Sequence, residues 1–360
     1  MMLPAALLLL GALTAVIAPR VLARTDWADR EPVLALWMWQ CVVGAVLLCC
    51  ALSMTLSAAT AWQAVRGHVF ASAPHAVVEA YALGTTGPWA ATTAVALACG
   101  GAWSAAMLVR EVVGARSRRR LRRAELLVRA PLLPGESLCD IPSRISARRL
   151  VRAIARRRSV RAGGPPSGGA RAGRRAPGWG CDTGSQEPDS RLVVLEGERP
   201  DAWWLPGAAP RLVLTTAALG RLKGRQLDAL VAHEEGHAQA RHDWLLHCSA
   251  ALAGGFPQVP VFAAFRDQMH RLVELAADDM ASRRFGRLTT ALALVELNED
   301  RGVFGPCPTP QAHVPQRVHR LLTPPDRLTA TRRLGLTATA ALVPVVPVLV
   351  AFVPGLRALG

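Results

Sequence analysis

Residues 32–65 read PVLALWMWQCVVGAVLLCCALSMTLSAATAWQAV, a run without one Asp, Glu, Lys or Arg. About 20 apolar residues in helical conformation cross the hydrocarbon core of a bilayer, so this run predicts a membrane span with length to spare. Three further charge-free stretches follow the same logic: Met1 to Pro19, Ala80 to Val109, and Leu334 to Leu356, the last with Pro344, Pro347 and Pro354 placed to bend it. No basic residue precedes the apolar core of the first stretch, which argues for a span rather than a cleaved signal peptide.

Working outward, the charges lie between and beyond these runs. The chain has 360 residues, 51% of them hydrophobic, yet carries a formal charge of +16. A soluble surface does not combine the two, whereas apolar helices in lipid beside basic loops do. Arg20, Arg24 and Arg30 follow the first run; Arg66 and Glu79 are the only charges between the second and third. Arg110, Arg116, Arg118, Arg119, Arg120, Arg122 and Arg123 follow the third, and Arg332 and Arg333 precede the fourth. The positive-inside rule gives one consistent topology, with the first loop and the large basic region in the cytoplasm and both termini outside. The fold class expected is a mainly α integral membrane protein with four transmembrane helices. It divides into spans over 1–113, a basic juxtamembrane region and linker over 114–190, a cytoplasmic α+β domain over 191–330, and a last span over 331–360.

Arg144, Arg148, Arg149, Arg152, Arg156 and Arg157 recur at helical spacing with Ile145, Leu150 and Ile154 between them. This predicts a basic amphipathic helix against anionic lipid. Nucleic-acid binding is disfavoured, because no aromatic interleaving accompanies the charge. Gly163 to Pro188 reads as a flexible loop. The eight cysteines form no CxxC pair, which excludes a cysteine zinc site and gives no disulfide framework.

From Leu192 the texture changes to short β-type runs: Leu192 to Leu195, Ala202 to Leu205 and Arg211 to Thr216. A helix capped by Thr215 or Thr216 then runs, with a break near Gly224, past His237 towards the breakers Gly254, Gly255, Pro257 and Pro260. It carries His233-Glu234-Glu235-Gly236-His237. Histidines four apart share a helix face and can chelate one zinc ion, while Glu234 is placed to act as general base on a zinc-activated water. Catalytic zinc needs a third protein ligand. A second helical run from Val261 offers Glu274, and Asp278 one turn on can orient a ligand histidine. The bland alternative pairs Glu274 with Arg271 or His270 on a solvated face.

With these residues in view, Leu192 to Leu322 resembles the membrane zinc metallopeptidases of the BlaR/MecR antirepressor type. The resemblance rests on the Ala202-Trp203-Trp204-Leu205-Pro206-Gly207 turn, Leu212 to Leu219, and the HExxH helix ending Arg241-His242-Asp243. The Glu274-Leu275-Ala276-Ala277-Asp278 motif and Arg317-Val318-His319-Arg320-Leu321-Leu322 complete it. It is also similar to HtpX-type and CAAX-prenyl-type proteases of the gluzincin clan. The likeness implies one zinc ion per chain held by His233, His237 and Glu274, catalysis by Glu234 and orientation by Asp278. It implies an endopeptidase acting on a protein or peptide, a transcriptional repressor in the antirepressor case, from a multi-pass position in the cell membrane. The sequence lacks the external sensor domain of the β-lactam sensors, so that route of sensing is not expected. The rival readings are a quality-control protease of membrane proteins and a non-catalytic receptor that keeps the metal site. His313 and Arg317 receive no firm role, a structural salt bridge being favoured over an oxyanion contact; His242 and His247 read as structural or surface residues.

Overall fold

The computed structural model describes residues 2–66, 74–81, 88–129, 192–198, 200–205, 211–298 and 314–359. They fall into two compact units, one formed by residues 1–122, 241–276 and 324–360, the other by 123–240 and 277–323.

The first unit is helical. Helix α1 (Met2–Ala23) and helix α3 (Pro32–Arg66) are joined through the single turn α2 (Trp27–Arg30). They pack antiparallel: Ser53 donates to the carbonyl of Pro4 at 3.0 Å, and Gly11 lies so close that an added Cβ would sit 3.0 Å from the Cβ of Cys49. Such close approach needs small residues, which is how apolar helices associate where no water drives them together. Helix α4 (His75–Ala80) precedes helix α5 (Pro88–Arg129), which continues as one helix well past the apolar run into the arginine cluster. The chain ends in α12 (Ala330–Leu342) and α13 (Val345–Leu359), bent by 48° across the break that holds Pro344. Pro347 falls in the first turn of α13, where its missing N–H costs nothing, while Pro354 lies within the helix. Tyr81 donates to the carbonyl of Ala351 at 3.0 Å in this region. By length and composition three helices can cross a membrane, and a fourth if the bent pair is one span. Leu9, Ile17, Trp37, Trp103, Val109, Leu349 and Phe352 are exposed on them. In water such apolar surface would be costly; facing lipid it is not.

Two more helices complete the core of this unit: α8 (His242–Gly255) and the first turns of α9 (Pro260–Phe285). Leu245, Leu252, Val261, Phe262, Phe265, Met269, Leu272 and Val273 bury themselves with Trp27, Leu36, Trp39, Val42 and Val46.

The second unit holds a three-stranded sheet of β1 (Leu192–Leu195), β2 (Ala202–Leu205) and β3 (Arg211–Thr215), in the order β1-β3-β2. β1 runs parallel to β3 with Val193 opposite Val213, and β2 antiparallel with Trp203 opposite Val213. Thr215 ends β3 and caps α6 (Thr216–Arg221), accepting from the N–H of Ala218 at 3.2 Å and of Asp201 at 2.9 Å. Gly224, at φ +54°, turns the chain into α7 (Arg225–Gln239). Leu212, Leu214, Leu222, Leu227 and Leu230 form a core with Ala293 of α10 (Arg287–Asn298), and α11 (Val314–Leu322) lies beside α10.

One expected helix differs. Instead of running on towards Gly254, α7 stops at Gln239, and Arg241 adopts a left-handed conformation at φ 52°, ψ 37° before α8 begins. Residues 238–243 contain neither Gly nor Pro, so no local breaker marks the stop. The arginine-rich helix expected around residues 144–157 and the Gly163–Pro188 loop lie outside the described residues.

Candidate active site

The site is built on α7. Leu227 and Leu230 are buried on one side of this helix and Ala229 and Ala232 on the other, and this packing from two sides fixes its rotation. His233 and His237 then emerge one turn apart, with ring centroids 4.9 Å apart and Nε2 atoms 3.1 Å apart. Between them Glu234 is buried, at 9% exposure. Glu235 points the other way, to Arg284 at 2.7 Å. Gly236 faces α9 so closely that a Cβ would stand 3.3 Å from Met280 Sδ and 3.4 Å from Ala277 Cα. The Gly236–Ala277 contact therefore sets the separation of the two helices.

On α9 the two aspartates that follow Glu274 each have an arginine partner. Asp278 is buried at 1% exposure. Arg317 grips it through both carboxylate oxygens, Nε at 2.8 Å and a terminal nitrogen at 2.7 Å. One of those oxygens also lies 3.1 Å from Nδ1 of His233. The next residue, Asp279, takes two hydrogen bonds from Arg320 at 2.7 and 3.1 Å. Such forked arginine–carboxylate pairs fix direction as well as charge. They explain α11: Val314, Arg317, Val318 and Leu321 are its buried face, and Arg320 lies beside it.

Burial by itself would push the Asp278 pKa up. The Arg317 charge and its hydrogen bonds, with those of His233, outweigh that and bring it down to about 2. At neutral pH Asp278 is thus an anion and can only accept. The proton between it and His233 belongs to Nδ1, which leaves the lone pair of His233 Nε2 directed at the space shared with His237.

His233, His237 and Glu274 offer one nitrogen or oxygen atom each, all within 4.8 Å of one another. Two Zn–N bonds of about 2.0–2.1 Å at a tetrahedral angle hold their nitrogens about 3.3 Å apart, close to the separation of the two Nε2 atoms. Two imidazoles and a carboxylate are the donor chemistry zinc takes, so these residues fit the ion. Of the two partners in the bland alternative, Arg271 hydrogen bonds Gln268 at 3.2 Å and pairs with Asp29, while His270 feels the charge of Glu274.

Reading the sequence alone left three elements of this site without a role. Arg317 forms the structural ion pair with Asp278. Arg320 repeats the device on Asp279, and Gly236 sets the helix approach. The two Asp–Arg pairs join residues 39 and 41 apart in sequence, which no local pattern reveals. Gly236 carried a signal, a glycine in mid-helix, where it costs about 1 kcal/mol relative to alanine unless packing requires it. His242 is buried and His247 is half-exposed, its Nδ1 2.7 Å from the Asp243 carbonyl; His313 lies outside the described residues.

Residues 181–320, which contain His233, Glu234, His237, Glu274, Asp278 and Arg317, match the family model of peptidase family M48. No curated protein and no solved structure matches the chain. The match supports a metallopeptidase domain over that part of the chain, and the apolar helices that flank it make membrane association plausible.

Proposed function

We propose that the chain is an integral-membrane zinc endopeptidase whose peptidase domain, over about residues 191–330, faces the cytoplasm. The observation that carries this reading is the pair of Nε2 atoms at 3.1 Å, backed by Asp278 and grouped with Glu274, with buried Glu234 between the two histidines. His233, His237 and Glu274 would hold the ion. Zinc held there supplies Lewis acidity, acidifying water and polarising a carbonyl.

The rest is work for the protein's own groups. Glu234 takes the proton from the attacking water and returns it to the leaving nitrogen, so the C–N bond breaks into a carboxylate and an amine. Asp278 keeps the His233 ring in one tautomer and one orientation. β2, an edge strand of the described sheet that packs against α7, suits an extended peptide added along its free edge. The substrate is accordingly a protein or peptide, bound through main-chain hydrogen bonds that ask little of its sequence.

The resemblance to the antirepressor type makes a cytoplasmic transcriptional repressor the substrate we favour, and a cell-membrane location follows. The arginines of residues 116–175 then lie where anionic lipid is available to them. A quality-control protease would instead degrade damaged membrane proteins, and cleavage of such clients without any repressor cleavage would select it.

The replacement Glu234→Gln tests the mechanism. Purified in detergent, the variant is expected to retain wild-type zinc while losing at least about 10²-fold in peptide cleavage, the usual contribution of a general base. Cleavage at the wild-type rate would remove Glu234 from the reaction. Retained zinc with no cleavage by the wild-type chain against any protein substrate would favour the receptor reading.

A further inference from the structure

The helix that carries Glu274 is held by the loop between the first two apolar helices. That loop is short and held by packing and hydrogen bonds. Thr25 folds back on Leu22, its hydroxyl donating to the Leu22 carbonyl at 2.8 Å. Trp27 and Ala28 are buried in the same core as Phe265, Met269 and Leu272 of α9. Beside them Asp29 pairs with Arg271, whose other terminal nitrogen is fixed by Gln268 at 3.2 Å. Glu31, two residues on, lies 3.4 Å from Arg333 at the start of α12. The first loop thus grips α9 by an ion pair and buried aromatic packing, and α12 by a second ion pair.

Arg271 and Glu274 are three residues apart, neighbours on one helix surface. A side chain anchored at Arg271 adds to the buried apolar face of α9 in holding the helix's rotation, and with it the direction in which the Glu274 carboxylate leaves the backbone. Trp39 of α3, its ring 6.4 Å from that of Phe265, adds a second fixed point two turns earlier.

We propose that Asp29 and Arg271 are positioning residues for Glu274, through which the α1–α3 hairpin sets the geometry of the third metal donor. The inference rests on the metallopeptidase reading and supplies a route for its regulation. A change in the hairpin that moves the loop moves Glu274, and with it metal affinity and activity together. Neither Asp29 nor Arg271 belongs to the candidate donor group of His233, His237 and Glu274.

The test uses the full chain in nanodiscs. Zinc affinity is measured by chelator competition and coordination by the visible spectrum of the cobalt-substituted protein. Asp29→Asn and Arg271→Gln are each expected to weaken zinc at least tenfold and to alter the cobalt band. The exchanged pair Asp29→Arg with Arg271→Asp should bring both back to within about threefold of wild type. Arg333→Gln, which breaks the other ion pair of the same loop, should leave both unchanged. Wild-type affinity and spectrum in the single variants would overturn the proposal. So would an equal loss in Arg333→Gln, which would show general loosening of the loop, or a failure of the exchanged pair to recover. A wild-type chain that binds no zinc would instead overturn the metallopeptidase reading.

Discussion

Asp278 is the residue on which the candidate site's electrostatics turn. It is a buried anion satisfied by one guanidinium and one imidazole N–H. Removing one partner from such a pair typically costs about 3–5 kcal/mol, because the other charge stays buried and uncompensated. Arg317→Met should therefore lower the melting temperature sharply. The double variant Asp278→Asn with Arg317→Met should recover most of that loss while still weakening zinc binding. The same pair sets an acid limit. The Asp278 pKa lies below its unfolded value of about 3.9, so its ionised form contributes stability that is complete above about pH 4 and is lost as pH falls through about 2. Acid unfolding of the wild type should show that component between pH 4 and 2, and the double variant should lack it. Little of this was open to the sequence. Asp278 stood out as a helper because it lies one turn from Glu274, but Arg317 lies far along the chain, and its pairing is a product of tertiary structure.

At the scale of elements, local signals carried the reading where local physics decides. The three strand runs, the Thr215 cap, the break at Gly224 and the bend at Pro344 correspond to observed features because β-branched runs, hydroxyl caps, glycine and proline act within a few residues. The stop of α7 did not. Residues 238–241 are good helix formers, yet Arg241 is left-handed, a conformation that costs an L-residue about 1–2 kcal/mol. Tertiary packing must meet that cost, since α7 serves one core and α8 another. Arg241→Gly is accordingly expected to raise the melting temperature, the relief of strain exceeding the extra flexibility of glycine in the unfolded chain. An unchanged or lower value would mean that the arginine side chain holds the corner. Gly236 is the opposite case. Gly236→Val would drive its side chain into the Ala277 backbone and Met280, separating α7 from α9. It should abolish zinc retention even where the protein remains folded by circular dichroism.

Across the whole molecule, apolar and charged stretches alternate along the sequence, and the positive-inside rule turns that alternation into the orientation proposed above. The ion pairs Asp29–Arg271 and Glu31–Arg333 agree with the proposed topology, which puts the first loop, α9 and the start of α12 on one side of the membrane. A single cysteine placed at Asp26 in a cysteine-free background should be modified by a membrane-impermeant thiol reagent only after the cell membrane is opened. Modification in intact cells would reverse the topology. The long apolar helices were legible because a bilayer imposes a length that a string of residues can meet or miss. The meeting of His233, His237 and Glu274 depends on helix packing that no run of residues encodes alone. Metal content tests that meeting most directly. Purified in a metal-defined medium, the wild-type chain should hold one zinc ion, while His233→Ala and Glu274→Ala should each hold less than about a tenth as much at the same free zinc. Full zinc retention by either variant would contradict its place in the site, and a wild-type chain free of metal would contradict the account as a whole.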